Sequence, residues 1–217
     1  MVLARNITNA GTLKLIGKFP SLKMGRIVWY ESLLERDYMY LLEIDSDVLW
    51  YREQPGRIYY TLDGKRHRYT PDLLVQRGSG KQIIEVKPKK EAEKEEYVRL
   101  FKIATSICCN QGYEFRVATN ETIRLQPRLR GVKILIKYAR TPVLPQHQID
   151  CHEFFAGRRR EAPLGEVIQF FASRGTGQQV VYALIYRGVL AVDLMRPLDR
   201  DGLVRLSEPA YAERKAS

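Results

Sequence analysis

The sequence predicts an α/β protein: a mixed sheet flanked by helices over residues 1–145, then a small lobe of helices and a β hairpin over 146–217. Three observations predict it. A run of apolar residues at helical spacing precedes four short runs rich in Val, Ile, Tyr and Leu, which are separated by turn residues. A charged helix then links the fourth of these strands to a fifth, and a crossover of that kind places the two strands parallel. The chain of 217 residues exceeds the roughly 100 to 150 residues of one typical domain, so a second, smaller lobe is expected.

Residues 1–27 carry only arginine and lysine as charged residues and are punctuated by Gly11, Gly17, Pro20 and Gly25, so they read as a basic arm or strap. From Glu31 to Leu42 the residues Leu33, Leu34, Tyr38, Leu41 and Leu42 recur at helical spacing, with Ser32 as a cap. Strands are expected at 48–52, 57–62, 67–75 and 82–86, divided by Pro55-Gly56, Asp63-Gly64 and Gly78-Ser79-Gly80. Pro88 ends the fourth strand. Residues 89–110 then form a helix with Tyr97, Leu100, Phe101 and Ala104 on its apolar face, and Gln111-Gly112 stops it before a strand at 113–118. A basic helix at 128–140 and a hinge at 142–145 close the first lobe. In the tail, helices near 148–155, 164–173 and 178–187 precede strands at 189–194 and 203–206 around an Asp201-Gly202 turn. That order reads as a helix-turn-helix carrying a β wing, a winged-helix-like lobe, with a small helical docking or dimerisation lobe as the alternative.

Thirty-six lysines and arginines against 25 acidic residues leave a net charge of +11, which suits a polyanionic partner. Residues 101–160 hold 11 basic and 4 acidic side chains, a net +7, so over half the excess lies there. Cys108, Cys109 and Cys151 lack the number and spacing of a disulfide framework or a zinc site and read as ordinary thiols. No segment approaches the ~20 apolar residues of a membrane span. The expected compartment is the reducing cytosol.

Along a strand, side chains alternate faces, so Glu85 and Lys87 project together while Ile84 and Val86 take the other face. Asp72 follows Pro71, and antiparallel pairing across Gly78-Ser79-Gly80 brings it beside Glu85. Two neighbouring carboxylates repel, so they either raise one pKa or hold a hard cation such as Mg²⁺ or Mn²⁺. A cation there polarises a phosphate and activates a water, with Lys87 orienting that water or offsetting charge on the phosphate. Glu35, at the edge of the first helix's apolar stripe, reaches the same place, whereas Glu31 and Asp37 read as solvated. Each element taken alone is ordinary: a Glu-x-Lys on a strand is usually an exposed pair, and Pro-Asp is usually a turn. The order helix glutamate, hairpin, Pro-Asp, turn, Glu-Val-Lys, helix resembles the restriction-endonuclease-like superfamily, whose metal site is written Pro-Asp, then Asp or Glu, any residue, and Lys.

Longer blocks narrow the resemblance: 31–37 (Glu-Ser-Leu-Leu-Glu-Arg-Asp), 52–55 (Arg-Glu-Gln-Pro), 69–72 (Tyr-Thr-Pro-Asp), 84–88 (Ile-Glu-Val-Lys-Pro) and the lead-in 17–23 (Gly-Lys-Phe-Pro-Ser-Leu-Lys). Together they resemble a TnsA-type transposon endonuclease over about the first 125 residues, and the tail resembles that family in outline. The resemblance implies a Mg²⁺-dependent nuclease subunit of a heteromeric transposase, with Mn²⁺ as a substitute. It nicks the 5′ strands at transposon ends, beside an integrase-like transposase subunit that cuts and joins the 3′ strands, with an AAA+ regulator as a further partner. It makes Asp72 and Glu85 metal ligands, Lys87 the catalytic lysine and Glu35 the helix carboxylate. Candidate DNA contacts are Lys23, Arg52, Arg66, Arg68 and Lys89, Gln54 near the site, and Arg128, Arg130 and Lys133 in the basic stripe 124–140, with Arg158-Arg159-Arg160 a further backbone grip. Two other readings keep the fold: a stand-alone repair, phage or restriction nuclease, and a DNA-binding adaptor without catalysis.

Overall fold

The computed structural model describes residues 16–156 and 160–207. The chain divides into two compact units, residues 1–125 and 126–217.

The first unit begins with an antiparallel hairpin of β1 (Gly17–Ser21) and β2 (Arg26–Tyr30), which buries Phe19 opposite Val28. This corrects the irregular strap expected through residue 27, and residues 1–15 of that strap lie outside the described residues. The hairpin is ordered from beneath by Glu43, a buried carboxylate that accepts from Ser21 Oγ (2.5 Å), the Leu22 and Lys23 amides (both 3.0 Å) and the Tyr51 hydroxyl (2.6 Å). Four donors offset the desolvation of that charge.

Helix α1 (Leu33–Ile44) is capped by Ser32 Oγ, which accepts the Glu35 amide at 3.1 Å, and it buries Leu34, Met39, Leu41 and Leu42. There follow β3 (Val48–Glu53), β4 (Ile58–Leu62), β5 (Lys65–Tyr69), β6 (Leu73–Arg77) and β7 (Gly80–Val86), then α2 (Lys89–Ala92), α3 (Glu95–Asn110), β8 (Tyr113–Ala118) and α4 (Asn120–Ile123). The main sheet has the order β3-β6-β7-β8, antiparallel except for β7 and β8, which run parallel after the α2-α3 crossover. Strands β4 and β5 form a ribbon of their own. The single strand expected over 67–75 is thus two, because Pro71 has no N–H to offer a ladder and the chain turns there. The single helix expected over 89–110 also divides. Lys94 is extended (ψ 142°), and Glu95 and Glu96 fall in the first turn of α3, where acidic side chains favour a new helix start.

The second unit comprises α5 (Arg128–Tyr138), α6 (Pro145–Phe155), β9 (Glu161–Pro163), α7 (Leu164–Ser173), α8 (Gln178–Tyr186), β10 (Leu190–Val192) and β11 (Leu203–Leu206). Its strands pair antiparallel in the order β10-β11-β9. Val132, Leu135, Val167, Phe171, Val181, Leu184, Leu190 and Val204 are fully or almost fully buried. Helix α5 belongs here: Tyr138 stacks on Tyr182 with ring centroids 5.0 Å apart, and a Cβ at Gly131 would meet Leu194 at 3.0 Å. The boundary therefore falls at 125/126 and not at 145/146. The segment 142–145 is no inter-unit hinge but an internal connection, with Arg187 donating to Thr141 O at 2.9 Å and Pro145 opening α6. Among the described residues, no helix is long and apolar enough to cross a membrane.

Candidate active site

The β6-β7 pairing fixes the centre of the site. Leu73 stands opposite Ile84, and one residue earlier the Asp72 amide donates to Ile84 O (3.1 Å) while Asp72 Oδ2 accepts from the Val86 amide (2.7 Å). The Asp72 carboxylate is thus pinned to the strand that carries Glu85. Along β7, alternation sends Ile83, Glu85 and Lys87 to one face and Ile84 and Val86 to the other. Ile83 belongs to a cluster with Leu74 and with Cys108 of α3, so the charged pair emerges on the α3 side of the sheet.

Glu85 is buried at 4% exposure and held at both oxygens: Lys87 Nζ lies 2.9 Å from Oε1, and the Tyr69 hydroxyl donates to Oε2. The Lys87 ammonium also sits 4.4 Å from the centroid of the Tyr97 ring of α3, a cation-π contact that fixes its approach. Glu35, in the first turn of α1, accepts the Glu31 amide at 2.8 Å.

Burial, then the charges of Glu85 and Glu35, push the Asp72 carboxyl well above the usual range against the opposing pull of the Val86 amide and Lys87. Burial also raises Glu35, with Glu31 and Glu85 adding repulsion. For Lys87 burial opposes the charged form, but Glu85 outweighs it and the pKa is raised, so the ammonium persists. Tyr69 is raised by burial and by Glu85, which keeps it a hydroxyl donor. Three carboxylates against one ammonium leave an excess of negative charge in a partly desolvated place, the condition under which a proton or a hard cation is taken up. As the side chains stand, no group of three or more His, Cys, Asp or Glu among the described residues is arranged to hold a metal ion. The charges of Glu85 and Glu35 both bear on Asp72, Glu85 the more strongly.

Residues 45–120 match the family described as TnsA-like endonuclease N terminal. This segment is TnsA-like. The TnsA-like segment runs from the end of α1 into the start of α4 and contains Asp72, Glu85, Lys87, Tyr69 and Tyr97, whereas Glu35 precedes it. Its family points to an endonuclease subunit of a transposase that works with DNA. No curated protein matches the chain.

The other sequence-derived candidates separate. Gln54 lies against the TnsA-like site: it adopts a positive φ of 41°, its amide donates to Asp72 O at 2.8 Å, and its side chain donates to Glu31 Oε1 at 2.6 Å. Glu31 and Asp37, expected to be solvated, are instead engaged. Asp37 is buried and paired with Arg124 at 2.8 Å, because α4 packs on α1 and brings its C-cap arginine there. The Lys23 ammonium donates to the carbonyls of Asp45 and Val48 (2.7 Å to the latter), tying the first hairpin to the chain after α1. Arg52 is half-buried and lines a cavity of about 150 Å³ with Pro71, Leu74, Ile83 and Cys108. Lys89 is exposed but bridged to Glu121 at 2.9 Å. Arg66 and Arg68 are exposed on β5. Arg128, Arg130 and Lys133 lie on α5 in the second unit, where Arg130, Lys133 and Lys137 line one open groove with Gln126 and Ile134. Arg158 and Arg159 lie outside the described residues.

Sequence reasoning missed Tyr69 and Tyr97 as site residues. Tyr69 was visible only as the residue three before Asp72, and Tyr97 reads as core because an aromatic on the apolar face of a helix normally is.

Proposed function

We propose that this chain is the Mg²⁺-dependent DNA endonuclease subunit of a heteromeric transposase, cleaving the 5′ strands at transposon ends while an integrase-like transposase subunit processes the 3′ strands. The observation that carries the reading is Asp72 pinned to the strand that bears Glu85, with Lys87 on the same face, inside a TnsA-like segment. The donor set fits a hard divalent cation: it is all carboxylate oxygen, and the negative charge concentrated around Asp72 is what a cation neutralises. Asp72 and Glu85 would hold it, with Glu35 alongside. When bound, the cation supplies Lewis-acid activation of the scissile phosphate and of a water.

The chain's own residues do the rest. Asp72 is held in place by the Val86 amide, so its second oxygen is directed without side-chain freedom. Lys87, charged and braced by Tyr97, stands beside Glu85 where it stabilises the added negative charge of the pentavalent phosphate or orients the attacking water. The basic excess and the exposed Arg66, Arg68 and Arg130 hold the DNA backbone. The order helix, strand, helix, helix, strand, strand from α6 to β11 supports a winged-helix-like lobe that docks DNA or a partner.

One observation favours a second reading, a DNA-binding adaptor without catalysis: both oxygens of Glu85 are occupied by Tyr69 and Lys87, and among the described residues no three ligands converge. The deciding experiment uses a duplex spanning an element end, labelled on each strand in turn, with Mg²⁺ and with or without the integrase-like partner. Partner-dependent cuts confined to the 5′ strand are expected. Cleavage without the partner points to a stand-alone nuclease, and no cleavage under any condition to the adaptor.

A further inference from the structure

The ribbon β4-β5 is not part of the main sheet, and beyond its base one of its faces stands open to solvent. At the base, Ile58 packs on the Leu74, Ile83 and Cys108 cluster, and opposite it Tyr69 donates to Glu85. Beyond the base the register places Tyr59 opposite Arg68 and Thr61 opposite Arg66, so these four side chains share one face. All four are exposed, and Tyr59 shows 68% of its surface, a large aromatic left in water. The other face is self-satisfied, with Tyr60 stacked on His67 at 5.2 Å. The ribbon carries Lys65, Arg66 and Arg68 against the lone acid Asp63, which lies at the turn with Gly64. Flat, unpaired strands with exposed aromatics invite aggregation, and charge on such an edge ordinarily only prevents it. Here the arginines are gathered on the same face as Tyr59, which is the composition of a surface that meets a polyanion.

We propose that β4-β5 enters a groove of the DNA duplex, its Tyr59-Arg66-Arg68 face contacting phosphates and base edges, and that its base registers the duplex against Glu85 through Tyr69. The dimensions agree. Five-residue strands at about 3.4 Å per residue make a ribbon roughly 17 Å long and about 5 Å between strand axes, and a two-stranded ribbon is one of the two elements that a major groove about 12 Å wide admits. The proposal rests on the nuclease reading for its substrate class, and it adds which element holds that substrate.

The test is equilibrium binding of the full chain to a labelled duplex in EDTA, read by fluorescence anisotropy over a range of salt. Arg66→Ala/Arg68→Ala is expected to weaken binding about tenfold at about 0.1 M salt and to reduce the slope of log K against log salt by about two, one for each phosphate left without its arginine. Tyr59→Ala is expected to weaken binding about threefold with the slope unchanged, since an apolar contact releases no counterion. A charge-matched control, Lys81→Ala/Lys102→Ala, removes two exposed lysines outside the ribbon and leaves the slope near that of the wild type. Equal affinities and slopes for the ribbon and control variants overturn the proposal. So does a change in self-association of the free chain with DNA binding intact, which makes the ribbon a protein interface. Because the readout needs no cleavage, a chain that binds through the ribbon but never cuts loses the nuclease reading and keeps this one.

Discussion

Replacing Tyr69 with phenylalanine removes one oxygen from the site and leaves the ring in place. In the wild type that hydroxyl donates to a carboxylate exposed at only 4%, and Lys87 is the other partner of the same carboxylate. A hydrogen bond to a charged group contributes about 1.5 to 3 kcal/mol, and the figure belongs at the upper end where the remaining group stays buried. With a loss of about 2 kcal/mol and a urea m value of about 2 kcal/mol/M, the unfolding midpoint falls by about 1 M. Both tryptophans, Trp29 and Trp50, lie in the first unit, so indole fluorescence follows that unit selectively. The cycle Tyr69→Phe, Glu85→Ala and the double variant isolates the pair. A coupling of about 1 to 3 kcal/mol is expected, and additivity within about 0.5 kcal/mol refutes the contact. Freeing one Glu85 oxygen also leaves it open to a cation, so Mn²⁺ affinity in Tyr69→Phe is expected to hold or rise while stability falls. A parallel loss of both refutes the idea that the hydroxyl and a cation compete for Glu85.

Four further outcomes follow from the geometry. Asp72→Asn is expected to stabilise the metal-free chain while abolishing cleavage, because the charge it removes is one that burial and the neighbouring carboxylates disfavour. For the same reason the wild type, with Asp72 and Glu35 both raised, should lose stability as pH climbs from the ordinary carboxylate range through their folded values, and Asp72→Asn should flatten that decline in urea midpoints measured across pH. Glu43→Gln places an amide among four donors and is expected to cost about 3 kcal/mol, with Trp29 fluorescence reporting loosening of the first hairpin. Lys23→Ala should lower stability, since the Asp45 and Val48 carbonyls are left without their shared donor, yet leave DNA affinity unchanged in anisotropy, which separates a clasp from a phosphate contact.

The nuclease core was legible because its signals are local. Alternation along Gln82–Val86, the turn at Gly78-Ser79-Gly80 and Pro71 before Asp72 are enough to set Asp72 beside Glu85, and the helical crossover over 89–110 is enough to make β8 parallel. What could not be read depends on partners distant in sequence. Asp37 looks solvated until Arg124, 87 residues later, folds over it, and Lys23 reads as a surface charge until two carbonyls more than 20 residues away engage its ammonium. The unit boundary was misplaced for the same reason. Pro142 and Pro145 are strong local punctuation, but the stacking of Tyr138 on Tyr182 is a tertiary fact that assigns α5 to the second unit. Tyr69 stands between the two cases: its place in the 69–72 block was visible, whereas its bond to Glu85 needed the strand break at Pro71 to turn the chain.

The central claim is that Asp72, Glu85 and Lys87 together cut DNA with a divalent cation. Nicking of an end-labelled element-end duplex by wild type, Asp72→Ala and Lys87→Ala, each with the integrase-like partner present and titrated with Mn²⁺ at matched DNA occupancy, tests it most directly. The expected result is Mn²⁺-dependent nicking by the wild type and its loss in both variants, with DNA affinity and folding retained. Undiminished nicking by either variant, or nicking by the wild type in EDTA, would contradict it.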